Sequence, residues 1–328
     1  MTGGDERRRG RGERCDVVVV GAGVIGLTTA LTLLARGLRV AVWSAHEPMA
    51  TTSAVAGAIW YPFLAEPRER VLGWSRTTFA ALQRFAADPA SGVVMTPVVE
   101  VFATAEPDLW WAPAAGPIER LPAADVPAPF AAAVRTTVPV CATQHYLPWL
   151  VDRLRARGGE LVLRRIASFD EAFAVADAVV DCAGLGAAEL CGDDTLYPVR
   201  GQVAVLAGSV AHAWIDDTAA RPSYVIPRGD EVVVGGTAQH HDRRGEADAG
   251  DRDAMLATAG AQFAALRTAP LRAERVGLRP CRPSVRVERE PRRDGRCLVH
   301  NYGHGGSGFT LAWGCAEEAV ALVLARRD

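Results

Sequence analysis

Runs of β-branched residues and runs with apolar positions three and four apart alternate at the start of the chain. Asp16 to Val20 sets four valines behind one aspartate, the pattern of a short strand buried on both faces. Val24 to Arg36 carries Ile25, Leu27, Leu31 and Leu34 at helical spacing, and Gly37 ends the predicted helix. Leu38 to Trp43 returns to a strand pattern, which completes a βαβ unit with a crossover long enough for a parallel pair.

After residue 43 the alternation loses its regularity. Arg68 to Ala86 reads as a helix, with Val71, Trp74, Phe79, Leu82 and Phe85 on its apolar side, and Val93 to Ala103 alternates like a strand. Trp110 to Pro129, rich in Pro and Ala, reads as loop and turn. A helix is expected over 147–157 and strands over 161–166 and 178–182. Antiparallel strands are expected over 201–206, 224–226 and 232–235, then a helix over 252–266. A strand over 296–300, a glycine-rich run and a helix from about 309 to 326 close the chain. Residues 1–14, polar and rich in Arg and Gly without periodicity, read as a disordered extension. Antiparallel signals interrupt the βαβ signals and then give way to them, so the expected fold is α/β with two interleaved, discontinuous domains.

Composition narrows the chemistry. Hydrophobic residues make up 49% of the 328 and charged residues 23%, a core-forming balance. A net charge of −2 favours neither nucleic acid nor an anionic membrane as partner. No apolar run nears the ~20 residues that span a bilayer, no signal-peptide h-region follows the basic start, and the chain closes without a peroxisomal tripeptide. The expected location is cytoplasmic. Seven cysteines are scattered with no Cys-x-x-Cys, a reduced pattern in which neither a structural disulfide nor a cysteine metal site is expected. All 36 basic residues are arginine, which excludes a Schiff base, a pyridoxal-phosphate anchor and a Walker A lysine. Asn301 is the sole asparagine.

Gly21-Ala22-Gly23-Val24-Ile25-Gly26 follows a predicted strand and opens a predicted helix, the context in which this motif binds a dinucleotide. Gly21 makes the tight turn, Gly23 lets the backbone approach the pyrophosphate, and Gly26 allows close helix–strand packing, while the helix N-terminus faces the phosphates. The acidic residue expected to bind the ribose about 20 residues on has two candidates: Glu47, near that spacing but past the strand, and His46, nearer its end. A second glycine-rich run, Asn301-Tyr302-Gly303-His304-Gly305-Gly306-Ser307-Gly308-Phe309-Thr310, suggests that the far end of the chain holds the far end of the cofactor, as in a flavin site.

Together with these two runs, four further stretches resemble the D-amino-acid oxidase family of flavoenzymes. They are Thr51 to Trp60, threonine-rich at its start; Arg200-Gly201-Gln202; Tyr224-Val225-Ile226-Pro227; and Gly277 to Pro283 with its continuation Val285 to Glu290. The resemblance runs from about residue 15 to the end, with six motifs in order. It implies a Rossmann-like FAD-binding domain (15–62, 143–185 and 276–328) interleaved with an α+β substrate domain on an antiparallel sheet (63–142 and 186–275).

It further implies non-covalent FAD, held by Gly21, Ala22, Gly23, Val24, Ile25 and Gly26; by Thr51, Thr52, Ser53, Gly57 and Ala58; by Ile166 and Arg279; and by Gly305, Gly306, Gly308, Phe309 and Thr310. Thr310 would stand at the flavin ring. A neutral D-amino acid would lose a hydride from Cα to flavin N5, and oxygen would reoxidise the flavin to give peroxide. Arg279 would fork the substrate carboxylate, the Tyr224 hydroxyl would bind the same group, and the Gly306 carbonyl would accept from the amine.

A planar, permanently charged guanidinium suits a carboxylate, and Arg279 lies between Leu278 and Pro280 in an apolar stretch where it needs an anion; Glu288 is the structural alternative. Arg282 and Arg286 read as structural arginines. Hydride transfer needs no side-chain acid or base, so none is expected, and His304 reads as a structural hydrogen-bonder in its turn. His240-His241-Asp242 reads as solvated surface, and no metal is expected. Two departures from the family bear on specificity: the segment Trp214 to Ser223 is short, which puts Ala220 or Arg221 at a lid position and predicts a more open pocket, and Tyr61 stands where mammalian members have an amide. D-Aspartate, glycine or sarcosine oxidation, an NAD-dependent dehydrogenase and a non-catalytic nucleotide module are the rival readings. A homodimer is an assembly to test.

Overall fold

The computed structural model describes residues 14–216 and 222–325. Ala220, Arg221 and nearly all of the expected N-terminal extension lie outside the described residues.

In chain order the elements are β1 (Cys15–Val20), α1 (Val24–Ala35), β2 (Val40–Ser44), α2 (Thr52–Val55), α3 (Arg68–Phe85), β3 (Val93–Phe102), β4 (Glu119–Arg120) and β5 (Ala132–Cys141). There follow α4 (Thr143–Ala156), β6 (Glu160–Leu163), α5 (Phe169–Phe173), β7 (Ala176–Asp181), α6 (Ala187–Cys191), β8 (Tyr197–Ala207) and β9 (Ala213–Asp216). The chain continues with β10 (Ser223–Arg228), β11 (Glu231–Gly235), β12 (Gln239–His240), α7 (Ala249–Gln262), β13 (Leu271–Glu290), β14 (Cys297–His304) and α8 (Gly308–Leu324).

Among the described residues 14 strands form one sheet in the order β4-β5-β3-β9-β10-β11-β8-β13-β14-β7-β1-β2-β6, with β12 pairing β8 off this path. The end β14-β7-β1-β2-β6 is wholly parallel. Its first two strands in chain order, β1 and β2, lie side by side, and the order reverses between β1 and β7. That is the strand order of a dinucleotide-binding sheet, whose crevice opens at the carboxyl ends of those two strands. The strands from β9 to β13 are antiparallel. The fold is therefore the expected α/β class.

One strand joins the two regions. β13 runs for 20 residues, pairing β8 from Leu271 to Cys281 and β14 from Cys281 to Glu290, with a register shift between Cys281 and Arg286. Arg279 lies just before that shift.

Burial explains the local structure around the first glycine run. Val17 to Val20 are buried on both faces, each fully buried side chain contributing roughly 1.5–3 kcal/mol. Helix α1 is buried from Val24 to Leu33, Ile25 excepted, rather than along one stripe, because the sheet lies on one side and α8 on another. Its threonines survive burial by back-bonding: Thr28 to Val24 O at 2.9 Å, Thr29 to Ile25 O at 2.7 Å and Thr32 to Thr28 O at 2.8 Å. Helix α8 in turn packs on α3, where the Gly314 amide donates to Thr78 Oγ1 at 3.0 Å and a side chain at 314 would collide with the Trp74 backbone.

Among the differences from the sequence pattern, four stand out. Helix α4 starts at Thr143, not 147; its cap, Ala142, carries no side chain that marks the start, and Pro148 lies inside the helix. Strand β6 ends at Leu163, which leaves Ile166 in the following segment. Strand β5 lies where no strand was expected and pairs β3 along its whole length. Strand β14 runs four residues into the second glycine run, to His304, because β13 pairs it as far as Cys281↔His304.

Candidate active site

A cavity of about 920 Å³ runs from the carboxyl ends of β1, β2 and β7 to the face of the antiparallel strands. It is large enough for an extended dinucleotide, and its wall at the crevice is backbone. Gly21 has φ +110° and no room for a Cβ beside the Cys182 carbonyl, and a Cβ on Gly26 would collide with the Gly21 carbonyl. Gly26 thus packs α1 on β1 as expected and does not line the cavity, whereas Gly21, Ala22, Gly23, Val24 and Ile25 do. Gly23 caps α1 with no side chain of its own; Ser53 Oγ, from α2, accepts from the Val24 amide at 3.0 Å. The open N-terminus of a 12-residue helix is suited to an anion.

At the end of β2 the cavity wall includes His46 and not Glu47, which is exposed and caps a short turn. The strand ends too early to bring the acid inward. Sequence reasoning passed over Arg164 and Arg165, which also line this end with Ile166. Arg164 lies 4.3 Å over the Trp43 ring and pairs with Glu171 at 2.8 Å. The arginine pair at the end of the expected strand was the available signal.

The other end is built on β8, β10 and β13. Tyr224 is opposite Gly235, and a Cβ there would fall on the tyrosine ring. Gly57 lies against the same ring, its missing Cβ 3.2 Å from Tyr224 Cε2. Arg279 is opposite Val199, and its guanidinium lies over Gly201, where a Cβ would strike it. Arg279 Nη1 donates to Thr237 O at 2.8 Å and Arg200 O at 3.4 Å, and its Cζ lies 5.9 Å from the centre of the Phe63 ring. Among the described residues no carboxylate pairs with it; Glu288 pairs with Arg286 at 2.7 Å instead. Arg282 pairs with Asp193 at 2.8 Å, so both are tied into the scaffold.

The second glycine run turns sharply after β14. Gly305, φ +55°, donates to Pro280 O at 2.8 Å and has no room for a Cβ beside the Leu64 carbonyl. Ser307 Oγ accepts from the Phe63 amide at 2.6 Å and donates to Phe63 O at 2.8 Å. Thr310 Oγ1 makes the same pair of bonds with Tyr61, at 3.0 Å and 2.9 Å. Thr310 is therefore a buried clamp on Tyr61 and is not on the cavity wall, contrary to its expected place at the flavin ring. Both its hydroxyl roles are consumed by backbone. Gly305, Gly306, Gly308 and Phe309 do line the cavity, as do Thr51, Thr52, Ser53, Gly57 and Ala58.

His304 is also corrected. His304 is among the residues around the cavity, but its imidazole is buried and leaves Nε2 without a partner, so it does not act as the hydrogen-bonder of its turn. Burial pushes its pKa down to about 3, which keeps it neutral.

Away from the cavity, Asp181, Cys191 and His300 bring metal-type donors within 4.8 Å of one another. Their valences are used otherwise: His300 bonds Asp181 at 3.1 Å and Glu290 at 3.0 Å, and Cys191 donates to Ala187 O at 2.8 Å. His240 and His241 stack on Tyr197 at 5.9 and 4.6 Å. Among the described residues no helix is long and apolar enough to cross a membrane.

A profile of the family described as DAO, FAD dependent oxidoreductase, matches residues 16–322. The chain is 42% identical over 308 residues to a D-amino-acid oxidase of Rubrobacter xylanophilus, covering 93% of this chain and 94% of that one. It is 39% identical over 312 residues to a D-amino-acid oxidase of Streptomyces coelicolor, covering 94% and 96%. In fold it is similar to the crystal structure of glycine oxidase from Geobacillus kaustophilus, with TM-score 0.80 and 19% identity over 95% of each chain.

Proposed function

The chain belongs to the family of FAD-dependent oxidoreductases, and from that premise we propose that it is a D-amino-acid oxidase. It would convert a neutral D-amino acid, oxygen and water into a 2-oxo acid, ammonia and hydrogen peroxide. The observation that carries this reading is Arg279, a guanidinium on the cavity wall whose described partners are two carbonyls. Two neutral acceptors leave its charge to be matched by an anion, and a carboxylate fits its planar fork. The relatives named D-amino-acid oxidase support the same substrate class.

When bound, FAD supplies the acceptor for the hydride leaving Cα and passes the electrons to oxygen. The residues present fit it: a glycine loop with no space for side chains, an α1 N-terminus for the pyrophosphate and a cavity that reaches from that loop to Tyr224 and Arg279. The protein's part is orientation. Arg279 and the Tyr224 hydroxyl hold the carboxylate, and the Gly306 carbonyl accepts from the amine, which fixes Cα. Ile215 and Ile226 on the wall favour an uncharged side chain. No side chain need take the Cα proton, since it leaves as hydride.

A panel of D-amino acids with peroxide detection tests the reading. Turnover of neutral D-amino acids is expected. Activity confined to D-aspartate, to glycine or to sarcosine would overturn it, as would a colourless protein that binds NADH. We also read the enzyme as cytoplasmic, which its seven free cysteines support. Substrate and oxygen are its partners, with neither nucleic acid nor a membrane, and light scattering would test a homodimer.

A further inference from the structure

Between β11 and β12 the chain carries one residue more than the strand it pairs with. Gly235 is opposite Val203 and Gln239 is opposite Arg200, so residues 236–238 pass only two positions of β8, Gly201 and Gln202. The extra residue makes a β-bulge, a device that re-aims groups beside a site. Here it borders the cavity: Thr237, Gly201 and Arg279 all lie on the wall.

The buried Gln202 amide faces this bulge. Its acceptor is a side chain and not a ladder carbonyl: Thr237 Oγ1 takes the N–H at 2.6 Å. With the hydroxyl filling that place, the Thr237 carbonyl is released from the ladder and accepts from Arg279 Nη1 at 2.8 Å. The second carbonyl on Nη1, that of Arg200, is at 3.4 Å, the long limit of a hydrogen bond. Thr237 O is therefore the short tether of the guanidinium.

Both ends of the bulge are fixed. A Cβ on Gly236 would lie 2.5 Å from the Pro222 carbonyl, so the backbone there packs directly on the entry to β10. Gln239 accepts from Arg200 Nη1 at 2.6 Å and donates to Asp251 at 2.9 Å. The scaffold arginine holds one end of the segment whose middle tethers the other arginine.

We propose that Thr237 is a positioning residue for the substrate: its hydroxyl stands in for a ladder carbonyl, which frees its own carbonyl to aim Arg279 at the substrate carboxylate. Without the hydroxyl the buried Gln202 amide would be left unpaired, a costly state. The bulge would then turn a backbone carbonyl to that amide, and the tether on Arg279 would go slack. Thr237 acts through Arg279, so the proposal rests on Arg279 holding the carboxylate.

The test uses holoenzyme and two readouts. One is calorimetric binding of benzoate, a carboxylate with no hydride to give; the other is KM and kcat with a D-amino acid. Thr237→Val is expected to raise the benzoate Kd and KM about tenfold, the loss of one strong hydrogen bond, with kcat and FAD content unchanged. Thr237→Ser, which keeps the hydroxyl, should restore values close to the parent's. In an Arg279→Ala background Thr237→Val should change the benzoate Kd no further, because the two residues act as one unit. A Thr237→Val protein with a lower Tm and the parent's benzoate Kd overturns the proposal, as does a loss of equal size with and without Arg279. Should Thr237→Val fail to fold, Thr237→Ala, which also lacks the hydroxyl and fills less space, decides in its place. Unchanged benzoate binding in Arg279→Ala alone would instead defeat the carboxylate assignment beneath the proposal.

Discussion

Arg200 and Arg279 occupy neighbouring strands one register position apart, yet they are used in opposite ways. Arg200 is opposite Leu278 and Arg279 opposite Val199, so their side chains leave the sheet on opposite faces. Arg200 is fully buried and saturated: it bonds Gln239 at 2.6 Å, Gln202 at 2.9 Å, Asp251 at 3.3 Å, and the carbonyls of Glu246 at 2.6 Å and Arg244 at 3.2 Å. Arg279 has two carbonyls and an open face. Five partners make an arginine part of the scaffold. Two partners and a cavity leave one available to a ligand.

The largest expected break in this contrast is Arg200→Met. It removes five hydrogen bonds from a buried network that includes Asp251 and both glutamines and should cost about 3–5 kcal/mol of stability, read by chemical denaturation; a variant as stable as the parent would refute the scaffold role. Arg279→Ala should do the reverse. The fold and FAD stay, while KM rises by orders of magnitude, about 2–5 kcal/mol in carboxylate binding; full activity would sink the assignment.

Gly201→Ala sharpens the comparison, because the three atoms nearest the new methyl all belong to the movable end of Arg279. It should lower kcat/KM by up to about a hundredfold through misplacement with little change in Tm. Tyr224→Phe should weaken substrate binding by only roughly 1 kcal/mol, seen as a modest rise in KM.

A further effect, on stability rather than activity, belongs to His304. The unfolded chain takes up its proton near the ordinary value of 6.5, but the folded protein does so only near 3. Between these values the unfolded state holds more protons, so stability falls as pH drops through that window. The flavin-free His304→Gln variant should lose less stability than its parent between pH 7 and pH 4 in denaturant melts.

The first glycine run was legible because its chemistry is local: Gly21, Gly23 and Gly26 have roles set by a strand and a helix that adjoin them. Arg279 and Tyr224 were named from motif resemblance, and the cavity brings both to its wall. Thr310 was misread because its hydroxyl answers to Tyr61, a residue 249 positions away. Glu47 and His46 could not be separated, since the answer turned on where β2 stops. Arg164 and Arg165 were visible as a pair but had no assigned neighbour until β6 joined the edge of the parallel sheet.

By itself the sequence determined the α/β class, the dinucleotide loop, the absence of lysine chemistry and the order of the motifs, because periodicity and turn geometry act over a few residues. The tertiary structure decided which polar groups are satisfied. That accounting depends on partners brought together by a sheet whose neighbouring strands lie far apart in sequence. Arg200 and Arg279 look alike in a string of letters. Only the pairing of β8 and β13 shows that one arginine is spent and the other is free for a ligand.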